Sequence, residues 1–133
     1  MWVASPTAYD GFVVLYEPSR TQGGILNISA SRYPANGVNQ TVKLFAGPIF
    51  QNRTFRFTLP ASNAEGSVSY YDETKSDQCN SILSYYASYL TGQLTLTRLD
   101  EQAGIISGTF DFTIAKPGCD TIRVTDGRFD KKL

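Results

Sequence analysis

Apolar side chains recur at every second position through most of this chain, and turn-forming residues break the alternation at short intervals. Period two sends successive side chains to opposite faces of a strand, whereas a helix repeats every 3.6 residues. The pattern therefore commits most of the polypeptide to β-strands. Phe12, Val14 and Tyr16 alternate with Val13 and Leu15, which reads as a strand covered on both sides. Gly23-Gly24 opens residues 25–30, with Leu26, Ile28 and Ala30 on one face. Pro34 and Asn36-Gly37 mark a turn. Val42, Leu44 and Ala46 form the next inward set, ended by Gly47-Pro48. Phe55, Phe57 and Leu59 oppose Thr54, Arg56 and Thr58, and Pro60 closes that strand. Residues 67–71 are a further strand candidate.

The C-terminal third carries the strongest rhythm. Leu94 and Leu96 alternate with Thr95 and Thr97, and residues 100–104 make a polar turn. Ile106, Gly108, Phe110, Phe112 and Ile114 share a face opposite Thr109, Asp111 and Thr113. After Lys116-Pro117-Gly118, Ile122 and Val124 oppose Arg123 and Thr125. This predicts a three-strand antiparallel meander, apolar inside and polar outside. Residues 81–90 are read as a strand, with a short helix as the alternative, because Ile82, Tyr86 and Leu90 also fit helical spacing. The 133 residues suit one domain, without repeats or linkers. The predicted fold is all-β: a single-domain antiparallel β-sandwich (1–133) of eight to ten strands, with a small β-barrel as runner-up.

Charge argues against nucleic acid as a partner. Twelve basic and twelve acidic side chains cancel, so no long-range field attracts phosphates. No stretch approaches the ~20 apolar residues of a membrane-spanning helix. Met1 is followed at once by Trp2-Val3-Ala4, so no signal peptide is visible, and removal of a native export signal is one reading. Trp2 is expected to cap one end of the core.

The chain contains no histidine. That excludes Ser-His-Asp and Cys-His nucleophile pairs, His-ligated zinc and most general-base chemistry near pH 7. No catalytic, metal or cofactor site is expected. Cys79 and Cys119 do not form a CxxC motif. We expect them to pair as a disulfide rather than persist as buried thiols, which implies an oxidising compartment.

Three clusters deserve a functional reading beside the architectural one. Tyr85, Tyr86 and Tyr89 are candidates for a sugar-binding platform, since flat aromatics on a sheet stack well and their hydroxyls bond outward. Core packing is the commoner role of strand tyrosines, Tyr70 and Tyr71 included. Asp111 sits on the outward face of its strand, where a second carboxylate across the sheet would permit glycoside hydrolysis. The architectural reading is a solvated Asp111 opposite an Arg or Lys. Asp100, Glu101 and Asp126 are oxygen ligands suited to calcium, although no EF-hand loop is present. Asp100 and Asp126-Gly127 also read as turn formers. Sequons at Asn27, Asn39 and Asn52 matter only in a eukaryotic secretory pathway.

Residues 92–100, 106–113 and 122–130 run GQLTLTRLD, ISGTFDFT and IRVTDGRFD. Together they resemble the C-terminal signature of a family of small, uncharacterised envelope lipoproteins of Bacteroidota, and Trp2-Val3-Ala4 resembles its W-x-A. The resemblance implies an exported all-β protein, periplasmic or associated with the outer membrane or cell surface, held to the membrane only through a lipid anchor upstream. This chain has no lipobox cysteine. The family supplies no catalytic residues, and Gly108, Phe110, Phe112, Gly127 and Phe129 read as architecture. The expected function is a non-enzymatic envelope module with a structural or protein-interaction role, its partner an envelope protein or a glycan. The alternative is a carbohydrate-binding module using Tyr85, Tyr86 and Tyr89, and the third reading is a carboxylate-based glycoside hydrolase.

Overall fold

The computed structural model describes residues 11–19, 21–32, 40–51, 53–60 and 64–132, without the side chains of Phe12 and Arg32. Trp2, Phe12's side chain, Pro34, Asn36-Gly37 and the sequons at Asn39 and Asn52 thus lie outside what is described. Among the described residues the chain forms nine strands: β1 (Gly11–Glu17), β2 (Gly24–Arg32), β3 (Gln40–Ile49), β4 (Thr54–Thr58), β5 (Gly66–Asp72), β6 (Ser81–Leu83), β7 (Tyr89–Asp100), β8 (Ile105–Ala115) and β9 (Ile122–Lys132). They build two open antiparallel sheets, ordered β1-β2-β3-β5-β6 and β4-β7-β8-β9, with no closed barrel. The architecture is the β-sandwich that the alternation predicts.

Each expected inward set faces the space between the sheets. Leu26, Ile28, Ala30, Val42, Leu44 and Ala46 come from one layer. Phe55, Phe57, Leu94, Leu96, Phe110, Phe112 and Ile114 come from the other, and all are buried. Removing a side chain of the Val-to-Phe size from water stabilises by about 1.5–3 kcal/mol. Such gains offset the backbone entropy lost in ordering strands that are distant in sequence. The meander of β7, β8 and β9 forms as expected, and β4 joins it along β7.

Four local expectations need correction. β1 is not covered on both sides: Val13 and Leu15 are exposed while Val14 is buried, and among the described residues β1 pairs only with β2. Gly47-Pro48 does not end β3, which continues to Ile49. Pro48 lacks an N–H, but β3 has no register partner on β5 beyond Ala46, so that side of the strand needs no donor there. Residues 81–90 divide between the two readings. They form the short strand β6, a 3-10 turn at Ser84–Tyr86, and the start of β7. Finally, Asp126-Gly127 is not a turn but lies inside β9.

That last difference has a clear cause. Phe110 pairs with Gly127, and Phe112 pairs with Val124, so Thr125 and Asp126 together stand opposite Asp111. This is a β-bulge, and it takes Asp126 to φ 56°. Aspartate tolerates the left-handed region better than most residues, so one sequence preference serves a bulge as well as a turn.

Candidate functional site

The outer faces of the two sheets differ chemically. On the β4-β7-β8-β9 layer, the outward positions of β7 and β8 carry Thr91, Gln93, Thr95, Thr109, Asp111 and Thr113. On the other layer, exposed Val13, Leu15, Ile25, Phe45, Tyr71 and Leu83 share the outer face. Register organises this face into rows. One row runs Leu15, Asn27, Phe45, Ser67, and its neighbour runs Val13, Ser29, Lys43, Ser69, Leu83. Adjacent members of a row lie about 5 Å apart, close enough for one ligand to touch several.

Tyr85 closes this face at its β6 margin. Two clefts of about 210 Å³ each meet there and share Phe45, Ser67, Ser84 and Tyr85. One cleft continues along the sheet surface past Asn27, Lys43 and Ser69. The other dips between the layers toward Thr58, Glu65, Gly66 and Leu90. Gly66 keeps the second cleft's wall close, since a Cβ at that position would fall 2.1 Å from the Phe45 carbonyl oxygen. Glu65 is ion-paired with Arg53, whose guanidinium also lies 4.0 Å above the Phe55 ring centre. The Arg53 hydrogen bond holds the Glu65 carboxyl below its ordinary range. Glu65 also accepts from the Arg56 amide at 3.3 Å, so this end of the cleft is rigidly tied to β4.

The three tyrosines singled out in the sequence are all exposed: Tyr85 by 78%, Tyr86 by 72% and Tyr89 by 53%. They do not form one platform. Tyr85 and Tyr86 are consecutive in the 3-10 turn, where side chains diverge by about a third of a rotation. Tyr89 begins β7 opposite Ala115, on the outer face of the other sheet. Only Tyr85 borders the two clefts. Its partners Phe45, Lys43 and Asn27 escaped sequence reasoning. The available signal was their phase, opposite the inward sets Val42, Leu44, Ala46 and Leu26, Ile28. Which outward positions become neighbours is decided by strand order.

Cys79 and Cys119 form a disulfide, with Cα atoms 5.5 Å apart. It joins the β5–β6 loop to the β8–β9 loop, and therefore one sheet to the other. Lys75 pairs with Asp120 at 3.0 Å, and Lys116 Nζ donates to the Gln78 carbonyl at 2.7 Å, reinforcing the same junction. The β5 end of the loop is anchored by Asp72, only 2% exposed. Its carboxylate accepts from Tyr70 Oη at 3.2 Å, Gln40 Nε2 at 3.0 Å and the Thr74 amide at 2.9 Å. Burial works to raise this carboxyl, but hydrogen bonds from Thr74, Gln40 and Tyr70 outweigh it and hold it below its ordinary range.

Asp111 is not opposite an Arg or Lys. Its register partner on β7 is Gln93, and across β9 it meets the bulge at Thr125 and Asp126. Lost solvation raises its carboxyl above the usual range. Asp111, Asp126 and Asp130 border a polar groove of about 550 Å³ on this face. The calcium reading is not supported by placement. Asp100 accepts from the Ala103 amide at 2.9 Å within the β7–β8 turn, and Glu101 accepts from Tyr16 Oη at 3.4 Å. Asp126 stands at the β9 bulge, and no group of three potential metal ligands occurs among the described residues. The Tyr16–Glu101 bond and an Arg98–Asp100 pair at 3.7 Å lie along a further open groove beside Phe50.

By architecture the chain is an antiparallel β-sandwich with one aromatic, mixed-polarity outer face. No protein-family model, curated protein or solved structure matches it.

Proposed function

We propose that the protein is a non-enzymatic binding module of a bacterial cell envelope, exported as its signature residues suggest, and that it binds through the outer face of the β1-β2-β3-β5-β6 sheet. The observation that carries this reading is the concentration of exposed apolar side chains on that face. Solvated faces of antiparallel sheets are ordinarily polar, as the outward positions of β8 and most of β7 are, and exposed apolar side chains interleaved with polar ones across one face support an interaction surface there. The disulfide is compatible with an oxidising, exported environment. The absence of histidine supports a binding role over proton-transfer catalysis.

The test is adsorption of the purified protein to envelope fractions. Wild type is compared with Phe45→Ser/Leu83→Ser on the proposed face and with Thr109→Ala/Thr113→Ala on the opposite one. Adsorption lost only in the first pair supports the reading. Equal adsorption by both overturns the choice of face, and turnover on a glycoside and ester panel overturns the non-enzymatic assignment.

A further inference from the structure

Resting on that choice of face, we propose that the paired clefts at Tyr85 bind an acidic oligosaccharide, one bearing a carboxylate or sulfate on its sugar ring. A pyranose has an apolar face of C–H groups and a rim of hydroxyls. Its complement is a flat aromatic surface flanked by hydrogen-bonding groups. Phe45 and Tyr85 supply the rings and form the shared wall of the two clefts. Asn27 and Ser67 flank Phe45 directly across the neighbouring strands, and Ser69 lies one row away, opposite Lys43.

These polar side chains are available. Among the described residues, Asn27, Lys43, Ser67 and Ser69 make no side-chain hydrogen bond or ion pair. An apolar partner would leave them desolvated and unpaired, which is costly for the amide and more so for the ammonium. A hydroxyl-rich ligand satisfies the amide and hydroxyls. An anionic substituent satisfies Lys43, the one cationic side chain bordering the surface cleft. Glu65, which lines the other cleft, is already ion-paired with Arg53, so Lys43 is the charge left to a ligand, and charge complementarity selects an acidic glycan over a neutral one and over a greasy protein surface. Continuity between the clefts favours an oligosaccharide over a single ring.

Calorimetric titration with defined hexasaccharides tests this. The probes are oligogalacturonate as the acidic ligand and cellohexaose and maltohexaose as neutral ones, at low and at physiological salt. The acidic probe is expected to bind, and more weakly as salt rises. Tyr85→Ala is expected to weaken it at least tenfold while Tyr85→Phe retains most affinity. Lys43→Gln should remove the preference for the acidic probe. Absence of binding by wild type at millimolar ligand overturns the proposal, as does unchanged affinity in Tyr85→Ala. Equal affinity for neutral probes overturns the acidic assignment. If the face variants still lose envelope adsorption while no hexasaccharide binds, the occupant is a protein: this proposal fails and the binding-module reading stands.

Discussion

Phe110 on β8 lies over Gly127 on β9, and the two are register partners: a Cβ built on Gly127 would fall 2.5 Å from the Phe110 ring. Two residues along, the arrangement is mirrored. Phe129 on β9 lies over Gly108 on β8, with a built Cβ 2.7 Å from its ring. The signature segments ISGTFDFT and TDGRFD therefore interlock, each strand's glycine receiving the other strand's phenylalanine. Rings over strand glycines recover the packing that glycine forgoes and pin the register.

Gly127→Ala and Gly108→Ala are each expected to destabilise by about 1–3 kcal/mol through overpacking. Gly108→Ala should be the worse, because its Cβ would also sit 2.4 Å from the Thr95 carbonyl oxygen, which belongs to backbone and cannot rotate away. Urea unfolding read by tryptophan fluorescence and circular dichroism measures both.

Cleaving the Cys79–Cys119 bridge releases a loop of 40 residues. The chain-entropy model assigns such a loop about 4 kcal/mol. The double variant Cys79→Ser/Cys119→Ser should lose stability of that order, and reductant should leave it unaffected while lowering the melting temperature of wild type. Equal melting of wild type with and without reductant would remove the bridge as a determinant of stability.

Asp72 confers a pH dependence of definite sign. Its folded carboxyl is held below the unfolded value, so its contribution is complete above the ordinary aspartate range and fades as pH falls through it. Asp72→Asn is expected to cost roughly 1.5–3 kcal/mol at pH 7, the usual scale for hydrogen bonds to a charged group. Denaturant titrations at pH 7 and pH 3 should show the gap between variant and wild type narrowing in acid.

Asp111 predicts the opposite sign. Its folded carboxyl is raised by lost solvation, so the charged form is disfavoured on folding and the penalty grows as pH rises through the carboxylate range. Asp111→Asn should therefore stabilise the protein slightly at pH 7 and make no difference near pH 3, as differential scanning calorimetry can read. A destabilising effect at pH 7 would show that Asp111 makes a contact beyond those seen across β7 and β9.

Several features are legible in the residues alone. The inward sets on β2, β3, β4, β7 and β8 follow from period-two alternation, because a strand with one buried face penalises any other phase. The bridge between Cys79 and Cys119 is likewise legible, as two cysteines each beside a strand-like segment. Sequence pattern and structure part where one local signal serves two structures. Asp126-Gly127 satisfies a bulge as well as a hairpin turn, and Gly47-Pro48 is tolerated in β3 because of what lies beside it, which spacing along the chain does not encode. The apolar pair Val13 and Leu15 reads as doubly covered, yet both side chains are exposed, and among the described residues β1 pairs with β2 alone.

The proposed site was legible only in part. Tyr85 stood out by composition, but Tyr86 and Tyr89 stood out equally, and the 3-10 turn and the crossover to β7 send them elsewhere. The sequence by itself determined which side of each strand meets the core, since burial of alternate side chains is a local and energetically dominant choice. Tertiary structure alone decided which outward residues become neighbours. Phe45 meets Ser67 and Asn27 because β3 is placed between β5 and β2. That placement results from long-range pairing, whose energy is spread over many contacts and leaves no mark on any short stretch of chain.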